Sequence, residues 1–280
     1  MNSIVFWNCR GAKKKKASLY LKEIAKEHKV IFVGLLETKL SFIYSKEVDS
    51  LIGIGWDFNY LPSAGLSGGI LVMWKSRMTS YNVIESYSQF IIGYMDIPLI
   101  VKWRIATSYG SKEVHKRRDL WNGLEPYISI DFPLIIGGDF NCLLAKEEKK
   151  GVRRFIMSLG PKEMKSFFIS NNLYELKFMG PMFTWSNNKK GQDRIMERLD
   201  RMIVNSYSVN TNKILVVKHL TRITSDHCPI LLNLNSSSPK ISKSFKFENI
   251  WASYPASFSV MQNVWRRKSL VLLLIFLILK

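Results

Sequence analysis

Short apolar runs rich in Val, Ile, Phe and Trp recur along the chain, at residues 4–7, 30–36, 69–74, 90–97, 101–106 and 134–138, then at 183–185, 199–204, 213–220 and 229–234. Such runs are too short for buried helices and predict strands covered on at least one face. Helical periodicity interrupts them at 17–28, 112–128 and 161–171, and loops fall at 63–68, 131–133 and 186–191. Many strands with a few interleaved helices predict an α/β fold, a four-layer sandwich of two packed mixed β-sheets flanked by helices, rather than a doubly wound parallel sheet.

The run Ser236-Ser-Ser-Pro239 reads as the exit from a catalytic domain covering 1–235. Residues 236–280 are then expected to be linker and a truncated or out-of-frame tail outside the fold. The apolar run at 270–279 is too short for a bilayer, which takes roughly 20 residues, so no true transmembrane helix is expected. A weak membrane contact is the alternative. The first residues, MNSIVFWNCR, have no signal-peptide pattern. Cys9, Cys142 and Cys228 lie far apart with no C-x-x-C pair, which argues against a disulfide framework or a zinc knuckle. An intracellular, reducing compartment fits, with the nucleus as one option.

The polar residues that close these runs carry more information than the runs themselves. Asn8 ends the first and Glu37 follows the second. Asp139 and Asn141 follow 134–138, and Asp226-His227 precedes 229–234. A single such residue would be a cap or turn former; four clusters with one placement predict a shared site at one sheet edge, because a sheet interior has no use for unpaired polar groups. Glu37, Asp139, Asp226 and the two amides offer hard oxygen donors, which suit magnesium rather than zinc. Asp139 and Asn141 are two apart and share one face of an extended segment, whereas Cys9 and Cys142 point away from their Asn neighbours. His227 alone among the histidines stands beside a carboxylate in a turn-like segment; His28 and His115 fall on helical patterns and His219 in a strand. A metal on carboxylates, a histidine and an acidic base together can hydrolyse a phosphate ester. The charge agrees: 41 Lys+Arg against 22 Asp+Glu give +19, which suits a polyanion such as nucleic acid. An acidic membrane surface and plain solubility are the alternatives for that charge.

The series WNCRG (7–11), LLETKL (35–40), GGDFN (137–141), RLDR (198–201) and SDHCPI (225–230) resembles the endonuclease/exonuclease/phosphatase superfamily, whose fold is DNase I-like. With GLSGGILVMW (65–74), GPMFTWSNN (180–188) and FKFENIW (245–251), the chain is most similar to the apurinic-type endonuclease domain of plant LINE-type (non-LTR) retrotransposons. The resemblance implies a Mg2+-dependent, DNA-nicking phosphodiester hydrolase, with Mn2+ as an alternative metal, DNA as partner and no stable protein partner. It implies Glu37 as direct metal ligand, with Asn8 and Asp226 completing the metal region. It implies Tyr109 on the scissile phosphate, Asp139 orienting or deprotonating the attacking water, and Asn141 binding the phosphate. Asp200 would orient His227, and His227 would stabilise the charge that develops on the phosphoryl oxygens. Asn8, Arg10 and Trp185, beside Thr184, fall among the substrate-facing positions.

Two segments depart from the family. Repair endonucleases carry an acidic residue two positions after the first-strand Asn, where this chain has Arg10, and 147–157 (EEKKGVRRFIM) is unlike the plant elements. No reverse transcriptase segment follows, so a complete retroelement protein is not expected. The alternatives are an inactive remnant that only binds nucleic acid, or a phosphatase of the same superfamily. Lys13–Lys16 reads as a loop touching backbone phosphates, a solvated run or a nuclear-import signal. Lys189, Lys190, Arg194, Arg198 and Arg201 read as a phosphate-facing surface.

Overall fold

The computed structural model describes residues 2–65, 67–98, 102–128, 131–152, 155–209 and 215–234; the expected tail lies outside them. One sheet contains β1 (Ser3–Asn8), β2 (Val30–Leu36), β3 (Trp56–Leu61), β4 (Ile70–Lys75), β11 (Phe178–Met179), β15 (Val217–His219) and β16 (Ile230–Asn233). Its order is β11-β15-β16-β1-β2-β4-β3, with β1 parallel to β2 and antiparallel to β16. The second contains β5 (Ser80–Tyr87), β6 (Phe90–Asp96), β7 (Trp103–Tyr109), β8 (Leu134–Asp139), β10 (Leu173–Glu175) and β14 (Asp200–Asn205). Its order is β10-β14-β8-β7-β6-β5, with β7 parallel to β8 and β14 antiparallel to β8. A small third sheet joins β9 (Lys149–Lys150), β12 (Trp185–Ser186) and β13 (Met196–Glu197).

The two large sheets face each other across one apolar core. Ile4, Phe6, Phe32 and Val72 from the first meet Ile91, Ile105, Ile135 and Met202 from the second. The alternate residues of the same strands face outward and are also covered. Val5, Trp7, Val33 and Leu35 pack beneath α1 (Lys15–Glu27) and α2 (Ser45–Ile52), which present Leu21, Ile24, Val48 and Leu51. Ile92, Ala106, Ile136 and Ile203 pack beneath α3 (Val114–Leu124) and α4 (Leu159–Ser170) through Leu120, Trp121, Met164 and Phe167. Cover on both faces is why these strands read as unbroken apolar runs. The result is the expected α/β four-layer sandwich of two mixed sheets.

Edge elements departed from expectation. β3 and β5 end their sheets, are only half covered, and lack an apolar run. A register shift between Val83 and Glu85 further breaks the alternation of β5. α2 is eight residues long, too short to stand out by periodicity. The helix expected over 112–128 ends at Leu124, and a 3-10 turn, Glu125–Tyr127, follows because Pro126 cannot donate a helical hydrogen bond. Lys15 and Lys16 are not in a loop but open α1, and Lys13 pairs with Glu47 at 3.1 Å. Among the described residues no helix is long and apolar enough to cross a membrane.

Two glycines bring the sheets together just below one edge. Phe6 pairs with Gly34 across β1 and β2, and Thr107 with Gly137 across β7 and β8. A Cβ on Gly34 would lie 2.6 Å from the Thr107 side chain, and one on Gly137 would lie 2.2 Å from the Phe6 ring. No larger residue fits this layer. Two residues further along the same strands stand Asn8 and Leu36 in one sheet and Tyr109 and Asp139 in the other.

Candidate active site

Parallel pairing puts the C-terminal ends of β1 and β2 together, and likewise those of β7 and β8. Asp200 begins β14 directly opposite Asp139. Residues 225–227 enter this edge just before β16, tied down by Ser225 Oγ donating to the Asn8 carbonyl at 2.8 Å. The close approach of the sheets lets Asn8, from one, reach Asp139, from the other: Nδ2 to Oδ2 is 2.9 Å.

Asp200, His227 and Asp139 form a buried acid–imidazole–acid line. Asp200 Oδ2 lies 2.9 Å from His227 Nδ1, and Asp139 Oδ2 lies 3.7 Å from Nε2. All three residues are at most 4% exposed, so their charges interact with little solvent screening. Burial alone would discharge the imidazole, but Asp200 and then Asp139 outweigh it and raise the His227 pKa to about 9. Burial dominates at Asp139, whose pKa rises to about 6 against the opposing pull of His227, the Asn141 backbone N–H and the Asn8 amide.

A second pair of carboxylates flanks this line. Glu37 accepts from the Tyr109 hydroxyl at 2.6 Å and from Asn8 Nδ2 at 3.4 Å through Oε1, and from Arg10 Nε at 3.1 Å through Oε2. Asp226 Oδ2 accepts from the Arg10 guanidinium and from Trp185 Nε1, the latter at 3.0 Å. Burial works against ionisation at both, yet both fall below the ordinary carboxylate range: Tyr109 and Arg10 hold Glu37 there, and His227, Trp185 and Arg10 hold Asp226. Glu37 and Arg10 both have left-handed backbone, with φ of 48° at each, a conformation uncommon outside glycine and typical of functional loops.

The structure thus gathers Asn8, Arg10, Glu37, Tyr109, Asp139, Asp200, Asp226 and His227, with Trp185 on Asp226. Asn141 sits one step out: its backbone N–H donates to Asp139 Oδ1 at 2.9 Å and its side chain to the Gly110 carbonyl at 2.9 Å. Arg198 and Arg201 do not face outward to meet phosphate. Arg201 is buried and Arg198 nearly so, and both are bound to Glu148 and Glu175; a charged residue so enclosed needs such partners. Lys189, Lys190 and Arg194 are exposed. Cys9 and Cys142 lie in the outer apolar clusters, and burial pushes the Cys9 thiol up to about 12, which leaves it inert.

Several supporting residues had no role assigned from sequence. Thr184, which the resemblance puts near the site together with Trp185 but without a stated task, accepts the backbone N–H groups of Leu199 and Asp200 through Oγ1, each at 3.0 Å, and so fixes where β14 begins. Trp7 Nε1 donates to the His227 carbonyl at 3.2 Å. Ser225 was visible only as the residue ahead of Asp226-His227. A cleft of about 400 Å³ opens beside the carboxylates, lined by Arg10, Lys14, Lys39, Asn188, Ser225 and Asp226 among others.

Two groupings offer metal donors. Asp139, Asp200 and His227 place one ligand atom each within 4.8 Å of one another. Glu37 and Asp226 supply two ionised carboxylates of the kind a hard divalent cation takes, so the donor set fits magnesium chemistry. Asn8 turns its NH2 toward the carboxylates, while its oxygen accepts the Arg10 backbone N–H at 3.3 Å.

The fold is shared with solved structures of low sequence identity. An AP endonuclease from Leishmania major matches with a TM-score of 0.64 at 15% identity, over 82% of this chain and 86% of that one. The endonuclease domain of TRAS1, a telomere-specific non-LTR retrotransposon, matches with a TM-score of 0.62 at 13% identity, over 85% and 100%. The catalytic domain of Xenopus laevis APE2 matches with a TM-score of 0.63 at 16% identity, over 82% and 91%. No curated protein is significantly similar in sequence. The sequence pattern of one family does run through residues 5–227, a stretch that holds every strand of the second sheet and most of the first and ends on the edge histidine, and on that match the chain belongs to the Endonuclease/Exonuclease/phosphatase family.

Proposed function

We propose that the chain is a magnesium-dependent endonuclease that nicks DNA, with Mn2+ able to replace Mg2+. The observation that carries this is the buried Asp200–His227–Asp139 line beside two ionised carboxylates. An imidazole with a pKa of about 9 is cationic at neutral pH and has both ring nitrogens protonated. It is therefore suited to stabilise charge growing on a phosphoryl oxygen rather than to bind a metal. Asp139, with a pKa of about 6, is ionised at neutral pH yet basic enough to take a proton from an attacking water. Asp200 keeps His227 charged and oriented, and Asn8 holds Asp139. Tyr109 and Asn141 are the groups we assign to contact the scissile phosphate.

Glu37 and Asp226 are the residues we assign to the metal, with Asn8, which donates to Glu37 Oε1 at 3.4 Å, completing the metal region. When bound, the ion would act as a Lewis acid on the phosphate. DNA as substrate is supported by the +19 charge and by the cationic cleft of Arg10, Lys14 and Lys39 beside the carboxylates. A DNA substrate would make the nucleus a site of action. We assign residues 1–235 as the catalytic domain.

The test is nicking of supercoiled plasmid with Mg2+ or EDTA, by wild type and by Asp139→Ala. Nicking that requires Mg2+ and disappears in the variant is expected. A wild type that binds plasmid without nicking it would leave a nucleic-acid-binding remnant. Hydrolysis of phosphoinositides in place of plasmid would point to a phosphatase.

A further inference from the structure

Arg10 lies between the two carboxylates assigned to the metal. Nε donates to Glu37 Oε2 at 3.1 Å, and Nη1 binds Asp226 Oδ2. The remaining capacity of both acids is also engaged. Tyr109 and Asn8 take Glu37 Oε1, Trp185 shares Asp226 Oδ2, and Ser225 Oγ donates to Asp226 Oδ1 at 3.3 Å. Arg10 is the one cation among the described residues that bridges this pair.

The backbone fixes that arrangement. Cys9, Gly11 and Ala12 donate their N–H groups to the carbonyls of Leu36, Glu37 and Thr38 at 3.1, 2.8 and 3.0 Å, so the strand pairing of β1 with β2 continues into the loops that carry Arg10 and Glu37. The guanidinium has room to leave, since its side chain is 36% exposed and lines the cleft that also holds Lys14 and Lys39. Two ionised carboxylates this close repel each other unless a cation lies between them. A guanidinium and a divalent ion would satisfy the same oxygens, and both cannot do so at once.

The geometry points to Arg10 as a built-in cation that competes with the divalent metal for Glu37 and Asp226. It holds the carboxylates in place in the metal-free protein and must swing into the cleft when metal enters. This rests on assigning Glu37 and Asp226 to the metal. The consequence is weakened metal affinity, with less of the site's order depending on metal.

Direct Mn2+ binding, read from the electron paramagnetic resonance of free Mn2+, separates the two claims on the full chain. Arg10→Gln should bind Mn2+ about 5- to 150-fold more tightly than wild type, the usual range when one ligand opposes another. Its metal-free Tm should fall, and Mn2+ should restore it. Glu37→Gln should lose binding. If Glu37→Gln loses binding while Arg10→Gln gains none, Arg10 is no competitor and the metal assignment stands. If Glu37→Gln binds Mn2+ as wild type does, the assignment itself fails. Wild type supplies an independent check should Arg10→Gln not fold. The Arg10 Nε–H resonance should move to a solvent-exchanging position as Mg2+ saturates the protein, and a resonance indifferent to saturating Mg2+ overturns the inference.

Discussion

Asp200 stands opposite Asp139 in the β8–β14 ladder, yet its carboxylate turns to His227 Nδ1 at 2.9 Å, so one histidine bridges two acids on neighbouring strands. The arrangement sets a window of pH. Activity should rise as Asp139 ionises near pH 6 and fall as His227 discharges near pH 9. Replacing Asp200 by Asn leaves the burial that discharges the imidazole and removes the larger charge that opposes it. The alkaline limb of the nicking rate should then move down toward the ordinary histidine value of about 6.5 or below. Stability follows the same sign. The folded state binds this proton more tightly than the unfolded chain, so the contribution of His227 is full below about pH 6.5 and lost as pH rises through about 9. An Asp200→Asn profile with the wild-type alkaline limb would remove Asp200 from this role.

Asn8 should act on the opposite limb. Its amide donates to Asp139 Oδ2 at 2.9 Å and favours the ionised form. Asn8→Ala should therefore move the acidic limb to higher pH, which a rate profile between pH 4 and 8 would reveal. A mere loss of rate without that movement would mean Asn8 only holds the two sheets in register.

Much of this edge was legible because its chemistry sits where apolar runs stop. Asn8, Glu37, Asp139 and His227 each adjoin a strand, and the cost of burying a polar group there is visible in sequence. The pairing of Asp200 with His227 came only from resemblance, since no local pattern links residues 27 apart. What stayed hidden depends on neighbours across the fold. Thr184 matters because it caps two backbone N–H groups of another segment. Arg198 and Arg201 looked like a phosphate surface because composition does not record which charges will meet Glu148 and Glu175. β3 and β5 were missed because an edge strand has one partner and half a core face.

Glu37→Ala should reduce nicking far more than DNA affinity. The carboxylate is buried and bound to Tyr109 and Arg10, whereas affinity for DNA depends mainly on the many Lys and Arg that meet phosphates. Loss of one buried, charge-organising group costs about 2–4 kcal/mol in barrier. Nicking rates and gel-shift affinities measured on the same preparation decide the matter, and equal losses in both would make Glu37 a structural residue.

Gly137→Ala tests how the sheets position the site. The new methyl would start 2.2 Å from the Phe6 ring and must force β8 away from β1. Overpacking of this kind costs about 1–3 kcal/mol, occasionally more. Because Asp139 is two residues along β8 and Asn8 two along β1, their 2.9 Å contact should loosen as well. Chemical denaturation should report the lost stability, and Phe6→Leu in the same chain should recover part of both stability and rate. No recovery would locate the damage outside this contact.

The Arg201–Glu148 pair separates stability from DNA binding. Arg201 is fully buried, donating to both Glu148 oxygens and to Glu175. Burial opposes ionisation of Glu148, but the Arg201 hydrogen bonds and charge outweigh it and lower its pKa to about 2. A lowered carboxylate pKa gives stability that is present above the unfolded value of about 4.3 and lost as pH falls through about 2. Glu148→Gln removes the carboxylate that both Arg201 Nη atoms bind and leaves Glu175 as the remaining counter-charge, so the cost should approach but not reach the roughly 3–5 kcal/mol of a fully broken buried pair. Its Tm at pH 7 should drop sharply, and the difference from wild type should shrink as acid protonates Glu148 in wild type. Arg201→Met should alter Tm but leave the salt dependence of DNA binding unchanged, because no phosphate reaches that guanidinium. Lys189→Ala and Arg194→Ala, exposed residues of the same stretch, should each lower that salt slope, by roughly one unit where the side chain meets a phosphate. A reduced slope in Arg201→Met at unchanged Tm would restore the phosphate-facing role that its burial argues against.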